Sequence, residues 1–469
     1  MNNRNAIFTT ILLVLGTSAL LPSARAVTPA PDGGYPGYNT AEGQNALFSL
    51  TTGVYNTALG AYTLYSDTTG IGNTAVGINA LRSNVAGTSN TAVGLNALFA
   101  NVGNASTGLG CYNSALGTYA LFSNTDGYSN SAFGWGALSS NRAGGRNTAT
   151  GAQALQSNTT GNYNTATGVQ TLQFNTSGAL NTATGAAALQ SNIGGSSNTA
   201  TGGGALEFNT NGFNNTASGA GALENNASGA NNTADGTSAL LHNQSGNANT
   251  AVGYQALFSS IGANNTAIGA NALANDTSGS NNIALGAGAG SNIHTASDTI
   301  CIGAPGVDTT DGCYIGHVFE EALDPDHLAM AIDVNGKVGT PASSRRFKDD
   351  IKPMGKTSEA ILALRPVAFH YKNDKRRRPQ FGLIAEEVAQ VDASLVARDK
   401  DEKPYSVRYD QVNAMLLNEF LKEHKTVEEQ GVIIAKQQKQ IEALTTGLQK
   451  VSDQLQLSKS TPQLVLENR

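Results

Sequence analysis

The chain has 469 residues with 28 basic and 34 acidic side chains, a net charge of −6, and a charged fraction of 13%, about half the roughly 25% of ordinary globular proteins. The mild acidity leaves no electrostatic footprint for nucleic acid or an anionic membrane, and so low a charge excludes the usual highly charged disordered chain. The charge is also uneven: residues 39–306 hold three basic side chains (Arg82, Arg142 and Arg146), the first lysine is Lys337, and two different materials join near residue 307.

At the N-terminus, Arg4 precedes an apolar run from Ala6 to Leu15 that only Thr9 and Thr10 interrupt, and Ala24-Arg25-Ala26 forms a small-x-small cleavage site. This predicts a secretory signal over residues 1–26, since the run is too short to span the ~30 Å of a bilayer core. Residues 27–38 read as a linker. The expected location is outside a bacterial cell, secreted or held at its surface, with no transmembrane segment after cleavage. An oxidising compartment permits disulfides. Cys301 and Cys313, in TICIG and GCYIG, lie near one repeat apart, which leaves both a disulfide between adjacent rungs and two free thiols open. Cys111 falls in an insertion and has no obvious partner. No Cys/His spacing resembles a zinc site, and no cofactor is expected.

Residues 39–306 are an internal repeat. Similar phrases open at Asn39, Asn56, Asn73, Asn90, Asn113, Asn130, Asn147, Asn164, Asn181, Asn198, Asn215, Asn232, Asn249, Asn265 and Asn282, with Asp298 opening a degenerate last unit. The usual step is 17 residues; the step from Asn90 to Asn113 is 23, an insertion of six. Asn147–Tyr163 shows the unit clearly as NTATGAQALQSNTTGNY. Paired glycines and asparagines, with threonines, disfavour a helix and suit short strands with tight turns. Gly151 and Gly161 are expected at corners with positive φ, identical asparagines to stack in hydrogen-bonded ladders, and Ala149, Ala154 and Leu155 to form an apolar stripe. The fold class is therefore mainly β, a repetitive β-solenoid or β-roll shaft of 17-residue coils. With roughly one leucine per coil, worth ~1.5–3 kcal/mol when buried, one chain has little core, so an elongated homotrimer packed along its leucine stripes is expected.

The repeat phrase resembles the heads of trimeric autotransporter adhesins and the shafts of phage tail fibres, which implies adhesion to a surface glycan or another host surface ligand. Thr-Ala-Thr in the units opened by Asn147, Asn164, Asn181 and Asn198 places threonines at i and i+2 on one face. Such an array is a signature of ice-binding solenoids, and also simply suits an exposed strand. A polysaccharide-acting solenoid needs paired carboxylates, against which the scarcity of charge in this segment argues.

A neck follows at 307–342, with a hairpin turn at Asp333-Val334-Asn335-Gly336. The module at 343–415 reads as a small α+β unit: helices at 357–364 and 383–390, strands at 366–372 and 405–409, and helix from Met415 onward. Its phrases are Ser343-Ser344-Arg345-Arg346-Phe347-Lys348, Leu364-Arg365-Pro366-Val367-Ala368-Phe369-His370-Tyr371, Phe381-Gly382-Leu383-Ile384-Ala385-Glu386-Glu387-Val388 and Val407-Arg408-Tyr409-Asp410. In this order they resemble the self-cleaving intramolecular chaperone domain that ends phage tail spikes and endosialidases. The resemblance implies trimerisation, folding of the upstream fibre, and self-cleavage in cis by a serine–lysine dyad. The family motif Ser-Asp-x-x-x-Lys places the serine at Ser343 and the lysine at Lys348. Ser344 stands where the family has aspartate and is the alternative nucleophile. A lysine acts as base only when neutral, and burial or cations such as Arg345 and Arg346 favour that form. Without cleavage the domain would be a permanent trimerisation clamp.

His370 reads as a core or edge residue, Glu386 and Glu387 as an exposed helix face, and Lys375-Arg376-Arg377-Arg378 as a solvated loop. Phe420, Val427, Ile434, Ile441, Leu448 and Leu455 recur every seven residues, with Leu444 and Val451 in the companion position. This predicts a coiled coil over 416–458, followed by a tail at 459–469.

Overall fold

The computed structural model describes residues 35–318, 330–332, 336–372, 374–399 and 401–459; the expected signal segment, most of the linker and nearly all of the tail lie outside them. The chain divides into two compact units between residues 322 and 323.

In the first unit each repeat makes one coil. The triplet after each opening asparagine forms a strand, and with two more after Thr299 and Gly312 these make seventeen strands, from β1 (Thr40–Glu42) to β17 (Cys313–Ile315), stacked in one parallel sheet. Each pairs with its neighbour in sequence: Thr148 lies opposite Thr165, Ala149 opposite Ala166 and Thr150 opposite Thr167. At about 4.8 Å per strand the stack runs roughly 77 Å from first to last. The sheet continues past residue 306, because Ile300–Ile302 pairs with Cys313–Ile315. The four Thr-Ala-Thr triplets face outward in two columns with their alanines buried.

A coil closes because the backbone turns left-handed at ordinary residues: φ is 60° at Gln153, 52° at Leu155 and 57° at Tyr163. Each such turn costs ~1–2 kcal/mol. Leu155 is fully buried, and burying a leucine stabilises by ~1.5–3 kcal/mol, more than its own turn costs. The same holds for the equivalent leucines from Leu64 to Leu257, which form one core with the strand alanines. This corrects the expectation of outward leucine stripes joining three chains. The left-handed turns point the leucines inward, so each chain encloses its own core. Of the two expected corner glycines, Gly151 has φ +133° and Gly161 is not left-handed. Gly161 is needed for space instead, since a Cβ there would stand 2.4 Å from Asn158 Oδ1 and from the Gly178 carbonyl.

The asparagine ladders form as expected, and there are two. Asn164 N–H donates to Asn147 Oδ1 at 2.9 Å, and the same contact runs unbroken from Asn39 to Asn282. Asn158 Nδ2 donates to Asn141 Oδ1 at 2.7 Å in the second ladder. The ladders meet at a shared acceptor: the Gly161 carbonyl takes Asn147 Nδ2 at 2.8 Å and Asn158 Nδ2 at 3.1 Å. The asparagines are buried, so every bond satisfies a group that would otherwise be stranded away from water. The insertion leaves the first ladder intact, with Asn113 N–H still donating to Asn90 Oδ1 at 2.9 Å. The extra residues form a small loop closed by Asn104 N–H on the Leu109 carbonyl at 2.7 Å.

The last units differ from expectation. Thr299 N–H, not that of Asp298, donates to Asn282 Oδ1, so Thr299 takes the asparagine's place and Asp298 occupies the left-handed position before it. Asp308 then caps the stack. Its Oδ1 accepts the N–H groups of His294, Thr295 and Ala296 at 3.0, 3.0 and 2.8 Å. In inner coils the corresponding N–H groups of Arg142, Ala143 and Gly144 reach the Thr159 carbonyl of the next coil. These three bonds hold the Asp308 carboxyl down at about 2. Cys111, Cys301 and Cys313 are free thiols. Cys301 lies opposite Tyr314 while Cys313 lies opposite Ile300, so the one-residue offset turns the two sulfurs to opposite faces.

In the second unit, Ala331–Ile332 pairs antiparallel with Val338–Gly339, flanking the expected hairpin turn, most of which lies outside the described residues. A 3-10 turn at Arg345–Phe347 is followed by a 3-10 helix at Thr357–Ala363, a hairpin of Val367–Phe369 with Gln380–Gly382, and helix α1 (Ala385–Val391). Strands Val396–Arg398 and Pro404–Val407 pair before the long helix α2 (Tyr409–Lys459). The core is small: Val388, Leu395, Val396, Val407 and Met415. The heptad residues of α2 stay exposed, with Ile434 at 63% and Leu448 at 70%.

Two coils carry aspartate in the second ladder, Asp67 and Asp276. Asp67 Oδ1 accepts Asn84 Nδ2 at 2.8 Å, but its buried Oδ2 has no partner. Burial raises Asp67 from 3.8 to about 7, against the hydrogen bonds from Asn84 and Gly70. The folded state then holds a proton that the unfolded state releases, so stability falls as pH rises from about 4 to about 7. Asp67→Asn restores a donor at that atom. It should stabilise this coil at pH 8 by about 1–3 kcal/mol, the cost of an unsatisfied buried polar group, and by less at pH 4. Hydrogen exchange of the flanking coils at both pH values checks this.

Candidate functional site

The sequence places the chemistry at the start of the chaperone-like module. Ser344 precedes the 3-10 turn in extended conformation, and Phe347 N–H donates to the Ser344 carbonyl at 3.0 Å. Lys348 N–H closes the turn on the Arg345 carbonyl at 3.1 Å. This single turn reverses the chain enough for Lys348 Nζ to donate to Ser343 Oγ at 3.3 Å. The Ser344 hydroxyl makes no capping bond to the turn. Ser343, Ser344 and Lys348 are all exposed. Arg346 lies over the Phe347 ring, 4.7 Å from its centroid.

The remaining singled-out residues have structural surroundings. His370 is exposed and lies just after the strand Val367–Phe369, outside it. Glu387 receives Arg365 Nε at 3.1 Å, tying the Leu-Arg-Pro phrase to α1. In the basic loop, Asp374 accepts Arg376 N–H at 2.9 Å and Arg378 N–H at 3.0 Å. These backbone bonds hold its carboxyl below the usual range. Among the described residues no cluster of three His, Cys, Asp or Glu is arranged to hold a metal. No described helix is long and apolar enough to cross a membrane.

Two groupings escaped the sequence reading. The shaft places Glu207 and Glu224 one coil apart, and burial first, then the Glu224 charge, raises Glu207. In the second unit, buried Ser358 donates to Glu419 and accepts Asn418 Nδ2 at 2.6 Å. Lys422 Nζ bonds Glu419 at 2.7 Å and lies 3.5 Å from Glu359. This network fastens the 3-10 helix to α2 across some sixty residues, a separation that leaves no local sequence signal.

Residues 343–397 match the model of the chaperone of endosialidase family (Peptidase_S74), a family of self-cleaving intramolecular chaperones, and the match begins at the serine that Lys348 touches. No curated protein and no solved structure matches the chain. A β-solenoid of stacked coils followed by a match to the chaperone of endosialidase model is an order consistent with a tail-spike-like fibre.

Ser358→Ala removes the centre of the Ser358–Glu419–Asn418 network. It should lower the unfolding midpoint of the C-terminal unit by about 2–4 °C, the shift that ~1 kcal/mol produces in a domain of about 150 residues. Thermal melting followed by helical circular dichroism, which α2 dominates, measures it.

Proposed function

We propose that this chain is a secreted, homotrimeric surface fibre whose C-terminal domain joins three chains, sets their register and then releases itself by autoproteolysis. The observation that carries this reading is the 3.3 Å contact from Lys348 to Ser343 at the first residue of the family match. In the proposed step, neutral Lys348 takes the proton of Ser343 Oγ, and the oxygen attacks the carbonyl of the adjoining peptide bond. The protonated lysine supplies a proton to the departing amine, and water hydrolyses the resulting ester.

Assembly is coupled to this chemistry through water. Both dyad side chains are exposed in the single chain. A lysine is driven to its neutral form by desolvation, so partner chains must supply the cover, and cleavage follows trimerisation. The exposed seam of α2 supports the same order. Phe420, Val427, Ile434 and Ile441 lie every seven residues and are more than half exposed, the pattern of a coiled-coil face awaiting its partners. The fibre is expected to serve in adhesion.

Intact mass and native mass of the recombinant mature protein, with a Ser343→Ala control, test the proposal. The wild type should split beside Ser343, separating the C-terminal ~126 residues from the shaft, while the variant stays whole and trimeric. A whole wild type would show that Ser344, standing in for the family's aspartate, leaves a permanent clamp. A monomeric variant would overturn the trimer.

A further inference from the structure

The outer surface of the shaft carries side-chain columns that change character along its length. Beside each buried leucine, two outward positions stack from coil to coil: one two residues before it, one just after. In the coil of Leu121 these are Tyr119 and Phe122, packed edge to face with centroids 5.5 Å apart. In the coil of Leu155 they are Gln153 and Gln156, and Gln156 begins an amide ladder with Gln173 at 2.9 Å. In the coil between, both positions shrink at once, to Gly136 and Ser139.

The glycine is not there for the backbone. Gly136 has φ +66°, and Tyr119 and Gln153 adopt φ 60° at the same position in the coils on either side. Nor is it there for space, since a Cβ at Gly136 would meet only Gln156 Nε2 at 4.0 Å. What it leaves is a cleft of about 230 Å³, lined by Tyr119, Phe122, Trp135, Gln156 and serine hydroxyls. The flanking coils are two strand spacings apart, roughly 9.6 Å, room for one ring between an aromatic wall and an amide wall. Trp135 is the only tryptophan of the chain and stands 52% exposed at the rim.

We infer that this cleft is a binding site for a neutral saccharide. Aromatic faces receive the apolar face of a pyranose, while serine hydroxyls and the Gln156 amide match its hydroxyls. The lining has no charged side chain, which selects against uronic and sialic acids, whose carboxylates would lose water without gaining a partner. The inference deepens the reading of the shaft as an adhesive fibre and rests on it.

Because Trp135 is the only tryptophan, its emission reports on this site alone. The full chain is titrated with cellohexaose, laminarihexaose, xylohexaose and mannohexaose, and with oligogalacturonate as the acidic comparison. At least one neutral oligosaccharide should shift Trp135 emission saturably. Gly136→Gln, the residue that the next coil carries at the same φ, should fill the cleft and weaken binding by at least about tenfold, and Tyr119→Ala should weaken it by about tenfold. Unchanged melting of both variants shows that the fold survives. If no neutral oligosaccharide shifts the emission, if only oligogalacturonate does, or if Gly136→Gln binds like the wild type, the inference is overturned. Intact mass in the same samples reports self-cleavage separately, so loss of this site and loss of the chaperone reading are distinguishable.

Discussion

The shaft depends on one repeated constraint: a buried asparagine whose side-chain oxygen accepts the backbone N–H of its counterpart one coil away. The bond is short-ranged and directional, so a strand that slips by one residue loses it and turns its buried alanine outward. A slip by a whole coil leaves most of these bonds intact. Whole-coil register is instead marked by the irregular members, namely Asp67, the loop after Asn104, Ser260, Asp276 and Asp308. Asn243 Oδ1 shows the consequence, being buried without a partner where Ser260 is too short to continue the second ladder.

Because the leucines are enclosed, the shaft does not need partner chains to complete its core. The two units differ in this respect. The coils bury alanine, leucine and asparagine almost completely, whereas the C-terminal unit has few buried side chains and a long helix with an exposed apolar seam. The long apolar seam that the chain itself leaves uncovered therefore lies in the C-terminal unit, which also holds the family match. In the proposed function, a chaperone placed there governs chain number and the timing of assembly rather than supplying the shaft with a core.

The same contrast shapes the site. One 3-10 turn is enough to bring Lys348 to Ser343, so the contact forms within a single chain. What one chain lacks is the exclusion of water that base catalysis by lysine requires. Proximity is local and desolvation is collective, which in the proposed function gives a physical basis for a cut that waits for the complete assembly.

The sequence by itself determined the 17-residue coil, the short strands, the asparagine ladder, the position of the chaperone module and the seven-residue seam of α2. Each of these is a short-range pattern, repeated or contiguous, and survives reading without any long-range contact. Tertiary structure alone decided which way the leucines face, because that follows from left-handed turns at Gln153, Leu155 and Tyr163, residue types that carry no left-handed signal. It also decided that Thr299 rather than Asp298 continues the ladder, that Asp308 caps the last coil, that Ser358 meets Glu419, and that Gly136 opens a cleft. These depend on what stands one coil away or some sixty residues along the chain, and closure of the coils and packing of α2 are what bring those partners within hydrogen-bonding and van der Waals reach.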